Sequence, residues 1–277
     1  MNIEEIRQVL NSKIKKGNWK LEESPAGKSK TSYIGVLEKD KVFIKVESVN
    51  TSLLRLADTN ITPQILYADS KIIVQEYISG EQPSTAWLNR NYQEIAKLIC
   101  KYHSDEKLKA ILELETPSEY KETSNRFLRE VEKWKKEIDT SSKDESVTKH
   151  LDRLIEGKPK AISDETTPIH ADPNISNFIL KEEKIYIVDW DDVRMSDPLR
   201  DIGQFAWDYV PKEKWNTFVS QCGLEFTKER EYRFFWWISM TKLFVGFWFY
   251  IYQKDKDTYK KYLAESILVA NKYLFSK

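Results

Sequence analysis

Cysteine is nearly missing from this chain: two of 277 residues, Cys100 and Cys222. They set no metal-ligand spacing and no disulfide framework, which fits a reducing cytoplasm. Net charge is missing as well. Lys and Arg number 44, and so do Asp and Glu, which argues against a mainly electrostatic binder of nucleic acid or membrane. The opening residues, "MNIEEIRQVLNSKIKKGN", are amphipathic and mixed in charge and lack the apolar core of a signal peptide. No long apolar run is uninterrupted. Phe234 to Tyr252 is broken by Ser239, Thr241, Lys242 and Gly246, so it reads as a buried helix rather than a membrane span. No internal repeat or low-complexity segment occurs. The expectation is a cytoplasmic protein with neither a nucleic-acid nor a membrane partner.

What is present is an ordinary soluble balance, 40% hydrophobic and 32% charged. At roughly 150 residues per domain, the length suits one large domain or two lobes and supports a sizeable core. Ile3, Ile6, Val9, Leu10 and Ile14 recur at helical spacing. "TSYIGVLEKDKVFIKVES" reads as a hairpin about Lys39-Asp40-Lys41, and "PQILYADSKIIVQEYISG" as another about Ala68-Asp69-Ser70. A helical piece is expected at 51–58. After Gly80 the character changes. Residues 84–112 and 118–156 read as helices, the latter broken near 140–146, and the chain beyond 203 is helical and aromatic. The division is 1–79, β-rich, and 80–277, mainly helical.

Between these helices lies "IHADPNISNFILKEEKIYIVDWDD", Ile169 to Asp192. Ile179-Leu180 and Ile185 to Val188 flank the polar turn "KEEK", a hairpin signal. Such a hairpin puts the loop before it and Asp189 after it at one end, so Asp172, Asn177 and Asp189 are expected to converge. Two carboxylates and an amide oxygen are a hard-oxygen set of the kind Mg²⁺ takes when substrate phosphates complete its shell. A carboxylate left free of metal can accept a proton from an attacking hydroxyl. Taken singly, an Asp before a strand is usually a cap or turn residue. Asp191 and Asp192 read as solvated.

The spacing H-x-D-x-x-x-x-N over His170, Asp172 and Asn177, followed by an Asp that ends an apolar strand, resembles the core of protein-kinase-like phosphotransferases. Asp189-Trp190-Asp191 and the downstream Asp197-Pro198-Leu199-Arg200-Asp201 narrow the resemblance to the aminoglycoside phosphotransferase/choline kinase family. It is firmest over 167–205 and moderate over 25–103. It implies an α+β, two-lobed protein-kinase-like fold, with a small antiparallel β lobe that binds nucleotide and a larger helical lobe that carries the catalytic loop and acceptor site. It implies ATP and Mg²⁺ as cofactors and a small-molecule hydroxyl as acceptor. Asp172 would be the catalytic base, and Asn177 and Asp189 would hold Mg²⁺. His170, Asp197 and Asp201 would support the loop.

On the nucleotide side, "VFIKV" places Lys45 opposite the face of Val42, Ile44 and Val46. A buried ammonium needs an anionic partner, and the resemblance makes Lys45 the phosphate-binding lysine. The alternative is an edge-strand lysine facing water. "SPAGKSKTSY" stands where the family has its nucleotide-covering loop, with Ser29 and Lys30 as phosphate donors. Its single glycine, Gly27, also suits an ordinary turn. "VQEYISG" matches the family's hinge, whose backbone near Glu76 and Ile78 would meet the adenine. Two departures stand out. "NTSLLRLADTN" lacks the helix glutamate that pairs with the family's lysine, for which Glu47 is a substitute, and Ala171 stands where glycine is common.

The acceptor is expected against the second lobe. Asp208, Trp207 and Trp237 are the candidate contacts, with Trp248 and Tyr252 further aromatics and Glu265 a further acid. Choline would want an aromatic cage, and an aminoglycoside an acidic cleft. Tryptophan is more often core than cage. The rival readings are a pseudokinase-like nucleotide-binding module, suggested by the absent helix glutamate, and a metal-dependent hydrolase using His170, Asp172 and Asp189. The latter is disfavoured because no second motif completes another metal shell.

Overall fold

The computed structural model describes residues 1–24, 32–115, 123–139, 145–159 and 165–276. Contacts divide the chain into two compact units, Met1–Pro83 with Asn174–Asp191, and Ser84–Pro173 with Asp192–Lys277. The change of character read at Gly80 thus falls three residues before the chain first leaves the first unit, and the chain later returns to it for residues 174–191.

The first unit opens with helix α1 (Ile3–Val9), started by a capping box in which Asn2 and Glu5 satisfy each other's backbone N–H groups. A π-helical turn, Leu10–Ile14, continues it. Strands β1 (Lys20–Glu23), β2 (Ser32–Leu37) and β3 (Asp40–Lys45) follow, then α2 (Thr51–Asp58), β4 (Ile65–Ala68) and β5 (Ile73–Glu76). They form one antiparallel sheet in the order β1-β2-β3-β5-β4. The β2–β3 turn is Glu38-Lys39, one residue earlier than the sequence suggests. Leu37 pairs with Asp40, and Glu38 takes the left-handed φ of 57° that closes the loop. Alternation in β3 buries Val42 and Ile44 against Ile6, Leu10, Trp19 and Val74, so Phe43 and Lys45 stand on the opposite face.

The returning segment is a hairpin, β7 (Phe178–Lys181) with β8 (Lys184–Ile187), numbered after β6 (Thr167–Ile169) of the second unit. Two backbone bonds tie it to the end of the first sheet segment: Glu81 N donates to Leu180 O at 2.9 Å, and Leu180 N to Glu81 O at 2.8 Å. Gly80 permits that approach, since a Cβ there would lie 2.5 Å from Leu180 O. Ile187 N donates to Ile61 O at 2.8 Å. This backbone pairing is why the hairpin belongs to the sheet unit although helical sequence surrounds it.

The second unit holds α3 (Thr85–His103), α4 (Glu106–Glu115), α5 (Thr123–Asp139), α6 (Glu145–Glu156), α7 (Leu199–Tyr209), α8 (Trp215–Gln221), α9 (Lys228–Trp248) and α10 (Lys256–Val269). A two-stranded sheet pairs β6 (Thr167–Ile169) with β9 (Arg194–Ser196). Helix α9 is long and apolar enough to cross a membrane by length and composition, yet it is a core helix, buried continuously from Arg233 to Leu243. Gly203 on α7 lets α7 and α9 touch: a Cβ there would meet Phe234 O and Ile238 at 3.2 Å. That close packing seats α7, which carries most of the second unit's candidate chemistry.

Candidate active site

In the first unit, the end of β3 delivers Lys45 onto the segment that follows β8. Its ammonium lies 2.9 Å from Asp191 Oδ1, 3.7 Å from Asp189 Oδ1 and 3.9 Å from Glu47 Oε1. The lysine side chain is 16% exposed, and Asp189 is the most open of the three carboxylates at 55%. Lys45 is therefore not an edge lysine facing water. Asp191 is not merely solvated either, because it is the lysine's nearest partner. Glu47 supplies a carboxylate beside Lys45 although α2 carries no glutamate.

The hairpin register explains the rest. Phe178 pairs with Ile187, and Val188 N donates to Asn177 O at 2.9 Å, so Asn177 stands beside the residue preceding Asp189. Asn177 is buried and ends a short 3₁₀ turn capped by the Asn174 side chain. Asp189 adopts a left-handed φ of 62°, and Trp190 is locked by its Nε1–H bond to Ile187 O at 2.9 Å. A carboxylate and a neighbouring amide suit a hard divalent cation and leave most of a six-oxygen shell to phosphates and water. Among the described residues, no three of His, Cys, Asp and Glu form a ready-made metal cage.

Of the other nucleotide-side expectations, Ser29 and Lys30 lie outside the described residues. Glu76 N–H donates to Gln64 O at 2.9 Å. Ile78 is buried, and its carbonyl accepts from Gly80 N at 3.0 Å.

In the second unit, Asp201 organises the loop that bears Asp172. It is fully buried. It accepts from His170 N at 2.7 Å, from Ala171 N at 2.9 Å and from the Tyr102 hydroxyl at 2.8 Å, and His103 Nε2 stands 3.5 Å away. Burial alone would push its carboxyl up. His103, His170 and Tyr102 outweigh that and hold it below the ordinary aspartate value. The pinned backbone includes Ala171 at φ 73°, the left-handed conformation that glycine would take freely and alanine takes at a cost of about 1–2 kcal/mol. Asp172 is exposed. Its N–H donates to His170 Nδ1 at 3.3 Å, and its Oδ1 accepts from Gln204 Nε2 at 3.3 Å. His170 is buried beneath the loop.

Asp197 closes the other end of the D-P-x-x-D motif. Arg233, 2% exposed, grips it with Nε and Nη2, each at 2.9 Å, and Trp237 Nε1 donates to it at 2.8 Å. Burial would lower the Arg233 guanidinium, but Asp197 and Glu165 raise it above its ordinary value. Trp237, expected as an acceptor contact, is instead a core residue: it is buried, packs against Phe127 and spends its one donor on Asp197. Trp207 is half-buried against Trp215, Tyr273 and Lys212.

Asp208 belongs to a cluster that the sequence did not announce. Lys242 of α9, 6% exposed, lies 2.5 Å from Asp208 and 3.2 Å from Glu265, with the Tyr262 ring 5.2 Å from its ammonium. Burial raises the Asp208 carboxyl even against the pull of Lys242. Burial also raises the Tyr262 phenol. Lys242 opposes that rise, and Asp208, Glu265 and Asp172 add to it. Sequence reading passed over Asp191, Tyr102, Gln204, Arg233 and Lys242 as functional groups. A charged residue inside an apolar helix, as Arg233 and Lys242 are, was the available signal for two of them.

The model of a family described as "Phosphotransferase enzyme family" matches residues 44–235. A curated relative, "Protein LicA homolog" of Mycoplasma capricolum subsp. capricolum, is 26% identical over 163 residues, 57% of this chain and 62% of its own. The chain thus spans less than two thirds of that relative's length. Among solved structures, a choline kinase from Cryptosporidium parvum Iowa II superposes with a TM-score of 0.70 at 14% identity, covering 98% of this chain and 96% of its own. A spectinomycin phosphotransferase in complex with ADP and spectinomycin superposes with a TM-score of 0.65 at 15% identity, covering 99% and 98%. The kinase-like α+β fold expected from the motifs is the fold the chain has.

Proposed function

The chain belongs to the phosphotransferase enzyme family, and from that membership we propose that it transfers the γ-phosphoryl group of ATP, with Mg²⁺, to a hydroxyl of a small amino alcohol. The observation that carries the reading is the convergence of Lys45 on Asp189 and Asp191 across 144 and 146 residues of chain, counted as 189 − 45 and 191 − 45. A strand lysine held among carboxylates is poised to exchange them for phosphate oxygens. Lys45 then neutralises nucleotide phosphate charge, with Glu47 and Asp191 keeping its ammonium in place between turnovers. Asn177 and Asp189 hold Mg²⁺, which when bound offsets charge on the transferring group. Ser29 and Lys30 contribute phosphate contacts, and backbone near Ile78 contributes base contacts.

Asp172 accepts the acceptor's hydroxyl proton, and His170 and Asp201 keep its loop in position. Catalysis by such groups rests on placement and charge rather than on a covalent intermediate. Residues 1–79, joined by the returning segment 174–191, serve the nucleotide, and the remainder of 80–277 serves the acceptor, in the cytoplasm where ATP is supplied. Charge supports one acceptor class. Asp208 and Glu265 are both within ion-pair distance of one ammonium, Lys242, so the acidic groups there are largely neutralised already. That matches a monocation such as choline or ethanolamine better than a polycationic aminoglycoside.

The test is ADP release from Mg·ATP by the purified chain with choline, ethanolamine and kanamycin. Turnover is expected with the amino alcohols. Asp172→Asn should abolish it while nucleotide still binds, and Asp189→Asn should weaken Mg·ATP binding. Full turnover by Asp172→Asn would remove the base assignment. ATP bound but never consumed would make the chain a nucleotide-binding module, a reading already weakened by the carboxylate that Glu47 brings to Lys45. Consumption without any acceptor would favour a hydrolase.

A further inference from the structure

Helix α7 meets the Asp172 loop at two side chains three residues apart, which therefore lie on one helical face. The first, Asp201, takes up the backbone N–H groups of His170 and Ala171. The second, Gln204, reaches the Asp172 side chain itself, Nε2 to Oδ1 at 3.3 Å. A carboxylate only accepts, so the amide nitrogen must face Asp172 and the amide oxygen must face away. That oxygen, Oε1, is buried with no hydrogen-bond partner among the described residues, and Gln204 as a whole is 6% exposed.

This is a poor arrangement for stability. An unsatisfied buried carbonyl is a penalty, and an apolar side chain of the same length would remove it. Asp172, being exposed, does not need Gln204 for its own solvation. The amide is thus explained by what it does to Asp172, not by what it does for the core, and such local conflicts are expected where function sets the residue. We propose that Gln204 is a positioning residue, whose amide N–H holds the Asp172 carboxylate in the rotamer that meets the acceptor's hydroxyl. The inference rests on Asp172 being the base.

Gln204→Met tests it, with choline and ethanolamine as acceptors and with thermal melts on the same samples. The expected result is a loss in kcat of about ten- to a hundredfold, the size of effect that misplacing a reacting group produces, with KM for ATP unchanged and Tm unchanged or raised. Gln204→Glu, of equal length but with no N–H to offer a carboxylate at neutral pH, should lose at least as much turnover. Wild-type kcat in Gln204→Met overturns the assignment. So does a fall in kcat that tracks a fall in Tm, or failure of Gln204→Met to fold, because either would make Gln204 a structural residue. Asp172→Asn run alongside separates this inference from its premise. A dead Asp172→Asn beside a fully active Gln204→Met sinks the role of Gln204 alone, whereas an active Asp172→Asn, or a wild type inactive on every acceptor, sinks the reading beneath it.

Discussion

Replacing Asp201 with asparagine changes no volume and removes one charge. In the native chain three donors share the two carboxylate oxygens: His170 N and the Tyr102 hydroxyl on Oδ2, and Ala171 N on Oδ1. An asparagine has one acceptor oxygen. If it faces His170 and Tyr102, its NH₂ group is turned on the Ala171 N–H, which is then buried opposite another donor. The other orientation strands the His170 N–H instead, because the Tyr102 hydroxyl can turn and accept from the NH₂. Either way the loss is one charge-assisted hydrogen bond together with one orphaned backbone N–H. Each such bond is worth about 1.5–3 kcal/mol and each orphan costs about 1–3 kcal/mol, with overlap between them, so Asp201→Asn should cost about 3 kcal/mol. The freed loop also has a reason to move, because Ala171 can leave its left-handed φ and recover about 1–2 kcal/mol. Asp172, the next residue, would move with it. Urea unfolding should therefore show a lower midpoint at unchanged slope, and kcat should fall further than the unfolded fraction accounts for. Stability within 1 kcal/mol of wild type together with full turnover would refute the idea that Asp201 holds the loop.

Ala171→Gly should stabilise the chain by about 0.5–1 kcal/mol, since glycine adopts φ 73° without the Cβ clash, although its unfolded-state entropy takes back part of the gain; the urea midpoint reads it. Lys242→Met removes the ammonium that Asp208 and Glu265 share. It should lower stability by about 3 kcal/mol and shift relative turnover from choline towards kanamycin, and acceptor ratios at saturating ATP check this. His150 is buried against the Ser266 hydroxyl at 2.7 Å. Burial first, and Arg153 second, push its pKa down to about 4 from an ordinary 6.5. The folded chain thus keeps it neutral while the unfolded chain binds a proton below pH 6.5. Its contribution is intact above pH 6.5 and is lost progressively towards pH 4, by at most about 3 kcal/mol. Melts from pH 7.5 to 4.5 should show that decline, and His150→Gln should flatten it.

Short-range patterns were enough to place several of the candidate residues in their elements. The period-2 alternation of "VFIKV" sets Lys45 apart from the buried face of β3, as the structure shows. The hairpin about "KEEK" brings Asn177 beside Val188 and Asp189 through a ladder whose register the flanking apolar runs dictate. The D-P-x-x-D spacing places Asp197 and Asp201 at the start of one helix. These features depend on neighbours a few residues apart, where covalent geometry and side-chain period leave few choices.

Partners from distant parts of the chain were decided only by tertiary packing. Lys45 could have paired with any carboxylate on a returning segment, and the backbone bonds of Glu81 and Ile61 to the hairpin make that partner Asp191. Trp237 looked like a candidate ligand wall and became core because α9 turns it towards Asp197. Asp208, a candidate acceptor contact in the sequence, is paired with Lys242 of α9, which also lies 3.2 Å from Glu265 of α10. The alternation, helical period and capping that shape each element act over a few residues. Which elements then face one another depends on how their apolar faces fill space together, and no local run of residues carries that information.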